Sequence, residues 1–248
     1  MKVLIACEFS GIVREAFKSH GLFAYSCDLL PTEIPGLHYQ GDIRDLLDGW
    51  MPIRFQADCD PEGNGFCETS GLDGAECPCI GPTQDGVEYK EVSGVLLGRC
   101  PNVQTWDLMV AFPPCTYLCS SGMHWTVRGL RDKKLTEDAL DFVRLLLAAP
   151  IPKIALENPI GCISSRIRKP DQIIRPWQFG EDASKATCLW LKGLPPLLQT
   201  MELPGGRKVR RANQCANGQN KLGPSPTRAL ERSKTYPGIA AAMAEQWT

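Results

Sequence analysis

No apolar run in the sequence approaches the roughly 20 residues that a helix needs to cross a bilayer, so a membrane-spanning protein is not expected. An excess of charge is missing too. The 27 basic residues face 28 acidic ones, for a net charge of −1. That excludes a protein held to nucleic acid by bulk charge, but it allows a local basic face. Histidine is scarce: His38 is distant in sequence from the cysteine-rich stretch, and His20 and His124 have no ligand-like setting, so a catalytic zinc is not expected. There is no internal repeat. The first eight residues carry too short an apolar run for a signal peptide, and Glu8 interrupts it. A cytoplasmic protein with no membrane contact and no evident obligate protein partner is expected.

What is present is 248 residues, 43% of them hydrophobic and 22% charged. This composition excludes collagen, coiled coil and wholesale disorder. The length suits one large domain, or one domain carrying a small insertion. The 12 cysteines are many. In a reducing compartment they point to metal ligation or catalysis before disulfides.

The pattern along the chain is α/β. Residues 2–6 read as a strand, 11–19 as a helix after a glycine turn, and 22–27 as a strand ending at Asp28. Residues 38–40 read as a third strand with Asp42 beyond it, and 43–50 as a short helix. From about 51 to 103 glycine, aspartate, proline and cysteine dominate, which marks an insertion with a hairpin at 87–97 turning near Ser93-Gly94. Regular pattern then returns. Strands are expected at 106–111, 153–156 and 186–191, and helices at 136–148, capped by Thr136, and at 236–246. Trp177 and Trp190 are expected in the core. Residues 204–226, polar and basic, read as a loop or arm.

The chemistry sits after the strands. Asp28, Asp42, Cys115 and Glu157 all follow strands, and ligands of open parallel sheets bind at carboxyl ends. Asp28 is either a ribose acceptor or a solvated loop acid. Cys115, stiffened by Pro113 and Pro114, is either a nucleophile or a buried inert thiol, and Cys119 is its candidate redox or metal partner. A carboxyl group beside an apolar sheet, as at Glu157, can donate a proton near neutrality, or it can be a structural cap.

Taken together, these residues resemble the DNA cytosine-C5 methyltransferases, in particular small phage-type members. Phe9-Ser10-Gly11 is similar to the family's first motif, under S-adenosylmethionine. Asp28 matches its ribose acid and Asp42 its adenine acid. Pro114-Cys115 resembles the nucleophile motif and Glu157-Asn158 the catalytic acid motif. Gln178-Phe179-Gly180 with Lys185 sits where the glutamine-arginine motif falls, and Thr235-Tyr236-Pro237-Gly238 resembles the last motif. The order is the family's, over all of the chain but the insertion.

The resemblance implies an α/β, Rossmann-like S-adenosylmethionine-dependent methyltransferase fold over 1–50 and 104–248, with a small Cys-rich insertion at 51–103. It implies a cofactor site at Phe9, Ser10, Gly11, Asp28, Leu29, Asp42, Ile43 and Pro113. Cys115 would attack cytosine C6 while Glu157 protonates or hydrogen-bonds N3, so that C5 can accept a methyl group. A base in duplex DNA would first be flipped out. Pro114 and Asn158 would border the base.

Some features depart from the family. The first motif has one glycine, Thr116 follows the nucleophile, and Gln-x-Arg-x-Arg is absent. The residue holding the base's O2 is therefore open among Lys185, Arg166 and Arg168. The segment between Gly193 and Ser233 is too short for the usual recognition domain, so low sequence specificity is expected. DNA contact falls to the arm, through Arg207, Lys208, Arg210 and Arg211, and to Trp125 with Arg128 and Arg131. A rival reading keeps the fold and changes the substrate, to a free pyrimidine nucleotide or a modified donor. Another is a catalytically silent DNA-binding protein.

Within the insertion, Cys59, Cys67, Cys77 and Cys79 suit a structural zinc, with Cys100 as a substitute ligand. Loose thiols or disulfides are the alternative.

Overall fold

The computed structural model describes residues 1–52, 66–67, 72–73, 88–99, 106–206, 209–216, 220–223, 225 and 227–248, with only the backbone at 66–67 and 72–73. The chain opens with β1 (Lys2–Ala6), α1 (Ile12–Ser19), β2 (Phe23–Asp28) and β3 (His38–Gln40). Next come β4 (Met51–Pro52), β5 (Phe66–Cys67), β6 (Leu72–Asp73), β7 (Glu88–Val92) and β8 (Val95–Arg99). The rest is β9 (Leu108–Ala111), α2 (Ser120–Val127), α3 (Lys133–Ala148), β10 (Lys153–Pro159), α4 (Ile163–Arg166), β11 (Gln172–Ile174), β12 (Thr187–Lys192), α5 (Arg228–Ser233) and α6 (Pro237–Gln246).

Seven strands form the central sheet in the order β11-β12-β10-β9-β1-β2-β3. The five from β10 to β3 are parallel, while β12 runs antiparallel to both its neighbours. The protein is thus mixed α/β with a mostly parallel sheet, an order compatible with a Rossmann-like fold. Parallel central strands are covered on both faces and read as continuous apolar runs. β1 and β9 are such runs, buried from Val3 to Ala6 and from Leu108 to Ala111. Leu4, Ala6, Met109 and Leu156 face the side covered by Leu140, Val143 and Leu146 of α3. Val3, Ile5, Val110 and Ala155 face Val13 and Phe17 of α1 and Ile239, Ala240 and Met243 of α6. Trp190 is fully buried and Trp177 nearly so, as expected.

Several boundaries differ from the sequence reading. α3 begins three residues before Thr136, because Asp132 is its N-cap and accepts from the Lys134 amide at 2.8 Å. Thr136 is buried and points inward. The helix expected at 43–50 is a single 3-10 turn, Ile43–Asp45, since Leu46 and Leu47 both turn into the core and Gly49 follows at φ +87°. β10 runs on through Glu157 to Pro159, held by pairing with β12 (Asn158 opposite Cys188).

In the insertion, β4, β8 and β7 form a three-stranded sheet, and β5 pairs with β6. The expected hairpin turns at Ser93 and Gly94, both at positive φ, as a tight two-residue hairpin turn demands. Lys90 Nζ and Arg99 Cζ lie over the Trp50 ring, 4.5 and 4.9 Å from its centroid. Cys59, Cys77, Cys79 and Cys100 lie outside the described residues, and Cys67 is described only by its backbone. Among the described residues no cluster of histidine, cysteine or acid could hold a metal, and no helix is long and apolar enough to cross a membrane.

Candidate active site

Because five neighbouring strands are parallel, their carboxyl ends share one edge of the sheet. That edge gathers the segments after β1, β2, β3 and β9, together with the far end of β10. Strand order reverses between β1 and β9, which is where ligands of open α/β sheets bind.

After β1 the chain turns through Glu8, Phe9, Ser10 and Gly11. Gly11 has φ +79°, and a Cβ there would stand 2.8 Å from Ile34 Cβ, so only glycine lets the β2–β3 loop pack on this turn. The Phe9 carbonyl accepts from the Glu33 amide at 2.9 Å. Fully buried Arg14 donates to Ser26 Oγ at 2.9 Å and to Thr32 Oγ1 at 3.2 Å, and also to the Ile34 carbonyl. These contacts fix the loop that follows Asp28.

Glu8 is 5% exposed. Its Oε1 accepts from Ser10 Oγ and from the Ile12 amide, whereas Oε2 is buried with no partner among the described residues. Burial pushes its carboxyl above the usual range. Sequence reading missed Glu8 as a site residue. The available signal was an acid placed directly after an apolar strand.

Asp28 closes β2, accepts from the Leu30 amide at 2.9 Å and is likewise raised by burial. Its carbonyl accepts from the Gly41 amide, which ties it to the Asp42 turn. Asp42 is half-buried, caps the 3-10 turn and pairs with Arg44 at 2.7 Å, while Ile43 is buried and Leu29 is open to solvent.

The nucleophile candidate follows β9. Its loop is fixed by backbone contacts to 160–162: Ser120 N donates to Ile160 O at 3.1 Å and Cys162 N to Leu118 O at 2.8 Å. A Cβ at Gly161 would stand 2.0 Å from Leu118 O, so a bare glycine permits this approach. Pro113 is buried and Pro114 exposed. Buried Asn158 donates from Nδ2 to the Pro113 carbonyl at 2.7 Å, which couples β10 to the Cys115 loop. Asn158 Oδ1 is buried with no partner among the described residues. Cys115 is half-buried. The neighbouring Cys119 thiol, then burial, push its thiol up, while the Lys185 ammonium opposes this. The neighbouring Cys115 thiol, aided by Ser121, draws Cys119 down.

Glu157 Oε1 accepts from Thr187 Oγ1 of β12. The two residues line a small cleft with Pro176, Lys185, Lys234 and Tyr236. Of the three candidates for the base's O2, the structure thus brings Lys185 to Glu157. Arg166 is paired with Glu137 at 2.8 Å and Arg168 with Asp171 at 2.7 Å, and neither lines this cleft. Thr187 was not foreseen, since no sequence pattern marks which strand residue will face Glu157.

In the arm, Arg207 and Lys208 lie outside the described residues, and Arg210 is exposed. Arg211 corrects the expectation of a basic DNA-facing cluster. It is 5% exposed, its guanidinium lies 5.5 Å from the Trp177 ring centroid, and it donates to the carbonyls of Leu203, Pro204 and Gly206. Arg211 folds the arm onto the domain. Arg211→Ala is expected to destabilise the protein by about 2–3 kcal/mol, lowering Tm by about 5–10 °C. DNA affinity should be unchanged at temperatures where the variant is folded. Thermal melts alongside a DNA titration check this, and lost DNA binding with unchanged Tm would contradict it.

A scan of protein-family models and a search of curated proteins find nothing that matches this chain.

Proposed function

We propose that the protein methylates cytosine C5 in DNA with low sequence specificity, on a Rossmann-like methyltransferase domain, with Cys115 as the covalent nucleophile. The carrying observation is the junction of β9 and β10. There a thiol on a fixed loop and a carboxyl group held by Thr187 occupy one edge, coupled by Asn158. A thiol that can add to C6 and an acid that can reach N3 are the two groups this chemistry requires.

S-adenosyl-L-methionine fits the neighbouring turn. The unpartnered oxygen of Glu8 suits an ammonium group, and Asp28, with one oxygen engaged by Leu30, suits ribose hydroxyls. Phe9, Ser10, Gly11, Leu29, Asp42, Ile43 and Pro113 would border it. When bound, it supplies an electrophilic methyl group. The chain's own residues do the rest. Cys115 adds to C6, Glu157 supports the charge that develops at N3, and Lys185 stands beside Glu157 for the base's polar edge.

Charge and exposure beside the nucleophile support DNA as the substrate. No acidic residue occurs from Cys115 through Arg131. Over that stretch Trp125 is 45% and Val127 79% exposed, next to Arg128 and Arg131. An apolar tip among cations suits stacked bases and phosphates. The test is nucleoside mass spectrometry of DNA incubated with protein and S-adenosylmethionine. New 5-methylcytosine is expected. Cofactor binding without product would shift the reading to a free nucleotide or another donor.

A structural zinc on Cys59, Cys67, Cys77 and Cys79 belongs to the same proposal. Elemental analysis of pure protein is expected to give about one zinc per chain. A metal-free, fully folded protein would remove it.

A further inference from the structure

We infer that the DNA taken at this site is an unpaired single strand, and that α2 carries the platform on which its bases stack. This rests on the methylation reading and narrows its substrate class. α2 is locked to the nucleophile loop. Gly122, in its first turn, is buried, and a Cβ there would clash with the Thr116 carbonyl, so only glycine lets the helix lie against the residue after Cys115. From beyond the helix, Arg131 donates to the same carbonyl at 3.3 Å, and its guanidinium lies 5.5 Å from the Tyr117 ring centroid. A strand laid along α2 is therefore held in a fixed relation to Cys115.

The outer face of this helix has the composition of a stacking surface. Residues three and four apart share a helix face, which groups Ser121, His124, Trp125 and Arg128. All four are exposed, while Gly122 and Thr126 are buried. Trp125 is the one exposed tryptophan of the six: Trp50 is half-buried and the other four are buried. His124 meets the indole edge-to-face, with ring centroids 5.8 Å apart, and Arg128 Nη1 lies 3.3 Å from His124 Nε2. The cations of neighbouring segments are neutralised, Lys134 by Asp138, Arg144 by Asp141 and Arg166 by Glu137. Arg128 and Arg131 enter no ion pair among the described residues, and the first acid after them, Asp132, accepts from the Lys134 amide. An aromatic side chain on a track of unneutralised cations suits a base and its flanking phosphates.

One strand fits this surface better than two. In a duplex the bases are already stacked on one another, so Trp125 gains a partner only if a base is extruded, and extrusion costs unstacking and unpairing. Offsetting that cost calls for a broad cationic surface. The chain has a net charge of −1, and Arg211 of the arm is buried against Trp177 instead of facing outward. An unpaired strand offers its bases without that cost and needs a single track of cations. Stacking on an aromatic face also tolerates any base, which agrees with low sequence specificity.

The test is titration of the whole wild-type protein with a cytosine-containing DNA strand of about 12 nucleotides, and with the duplex of the same sequence. Anisotropy of the labelled DNA gives the affinity, and intrinsic tryptophan emission reports on Trp125. The strand is expected to bind at least about tenfold more tightly than the duplex and to quench the emission. Trp125→Ala should weaken strand binding about tenfold and abolish the quench, and Trp125→Phe should restore most of the affinity. In methylation of the strand, Trp125→Ala should raise KM about tenfold with kcat within about threefold of wild type. A duplex bound as tightly as the strand, or strand binding without a quench, overturns the inference, and neither result depends on a variant. An RNA strand bound more tightly than the DNA strand overturns the choice of DNA. Strand binding with a quench, by a protein that makes no 5-methylcytosine, keeps the platform and overturns the methylation reading alone. Equal methylation of strand and duplex keeps the methylation reading and overturns this inference.

Discussion

Cys115→Ser is expected to reduce 5-methylcytosine formation by at least about 10⁴-fold while leaving the fold intact. An alcohol is far less ionised and less nucleophilic than a thiol, and nothing around Cys115 would make up that difference. The Lys185 ammonium favours a charge on Cys115, but the neighbouring thiol and burial oppose it. Stability should change little. The loop is held by backbone contacts, with Leu118 and Cys119 amides on the Cys115 carbonyl and Cys162 on Leu118, and the substitution touches none of them. Nucleoside mass spectrometry gives the activity and a thermal melt gives the fold. If the variant still forms 5-methylcytosine, the covalent mechanism is wrong. If activity and Tm are lost together, Cys115 is a packing residue.

The sequence exposed the parts of this protein that depend on local chemistry. β1, α1 and β2 are short periodic segments with a glycine turn, so pattern alone placed them and put Asp28 at a strand end. The Ser93-Gly94 turn was legible because few residue pairs take positive φ in succession. Features set by distant partners were not. Thr136 looked like an N-cap because an apolar stripe follows it, but Asp132 wins the position by accepting from the Lys134 amide. Arg211 read as one more cation in a basic run, and its burial depends on Trp177, which lies 34 residues earlier in the chain. β11, α4 and α5, each six residues or fewer, carry too little periodicity to be seen. Arg166 and Arg168 matched a charge requirement equally well, and only their pairing with Glu137 and Asp171 separates them from Lys185.

Thr187 matters most in this respect, because it decides what Glu157 can do. Its hydroxyl donates to Oε1, so on the proposed reading it is Oε2 that would meet the base. Glu157→Gln is therefore expected to lower kcat by about 10²- to 10⁴-fold, with KM for DNA little changed. An amide can still accept from Thr187 and donate a hydrogen bond toward N3, but it has no proton to give up as charge develops there. Thr187→Val removes the hydroxyl at nearly constant volume. It should cost less, about tenfold in kcat, because the carboxyl keeps its chemistry and loses only its orientation. The double variant should be no slower than Glu157→Gln, since Thr187 acts only through the carboxyl. Steady-state kinetics of the four proteins make the cycle. Additive losses would show that Thr187 contacts the substrate itself. A Glu157→Gln enzyme within about threefold of wild type would mean that N3 is protonated by another group, and Lys185, on the same cleft, would be the next residue to change.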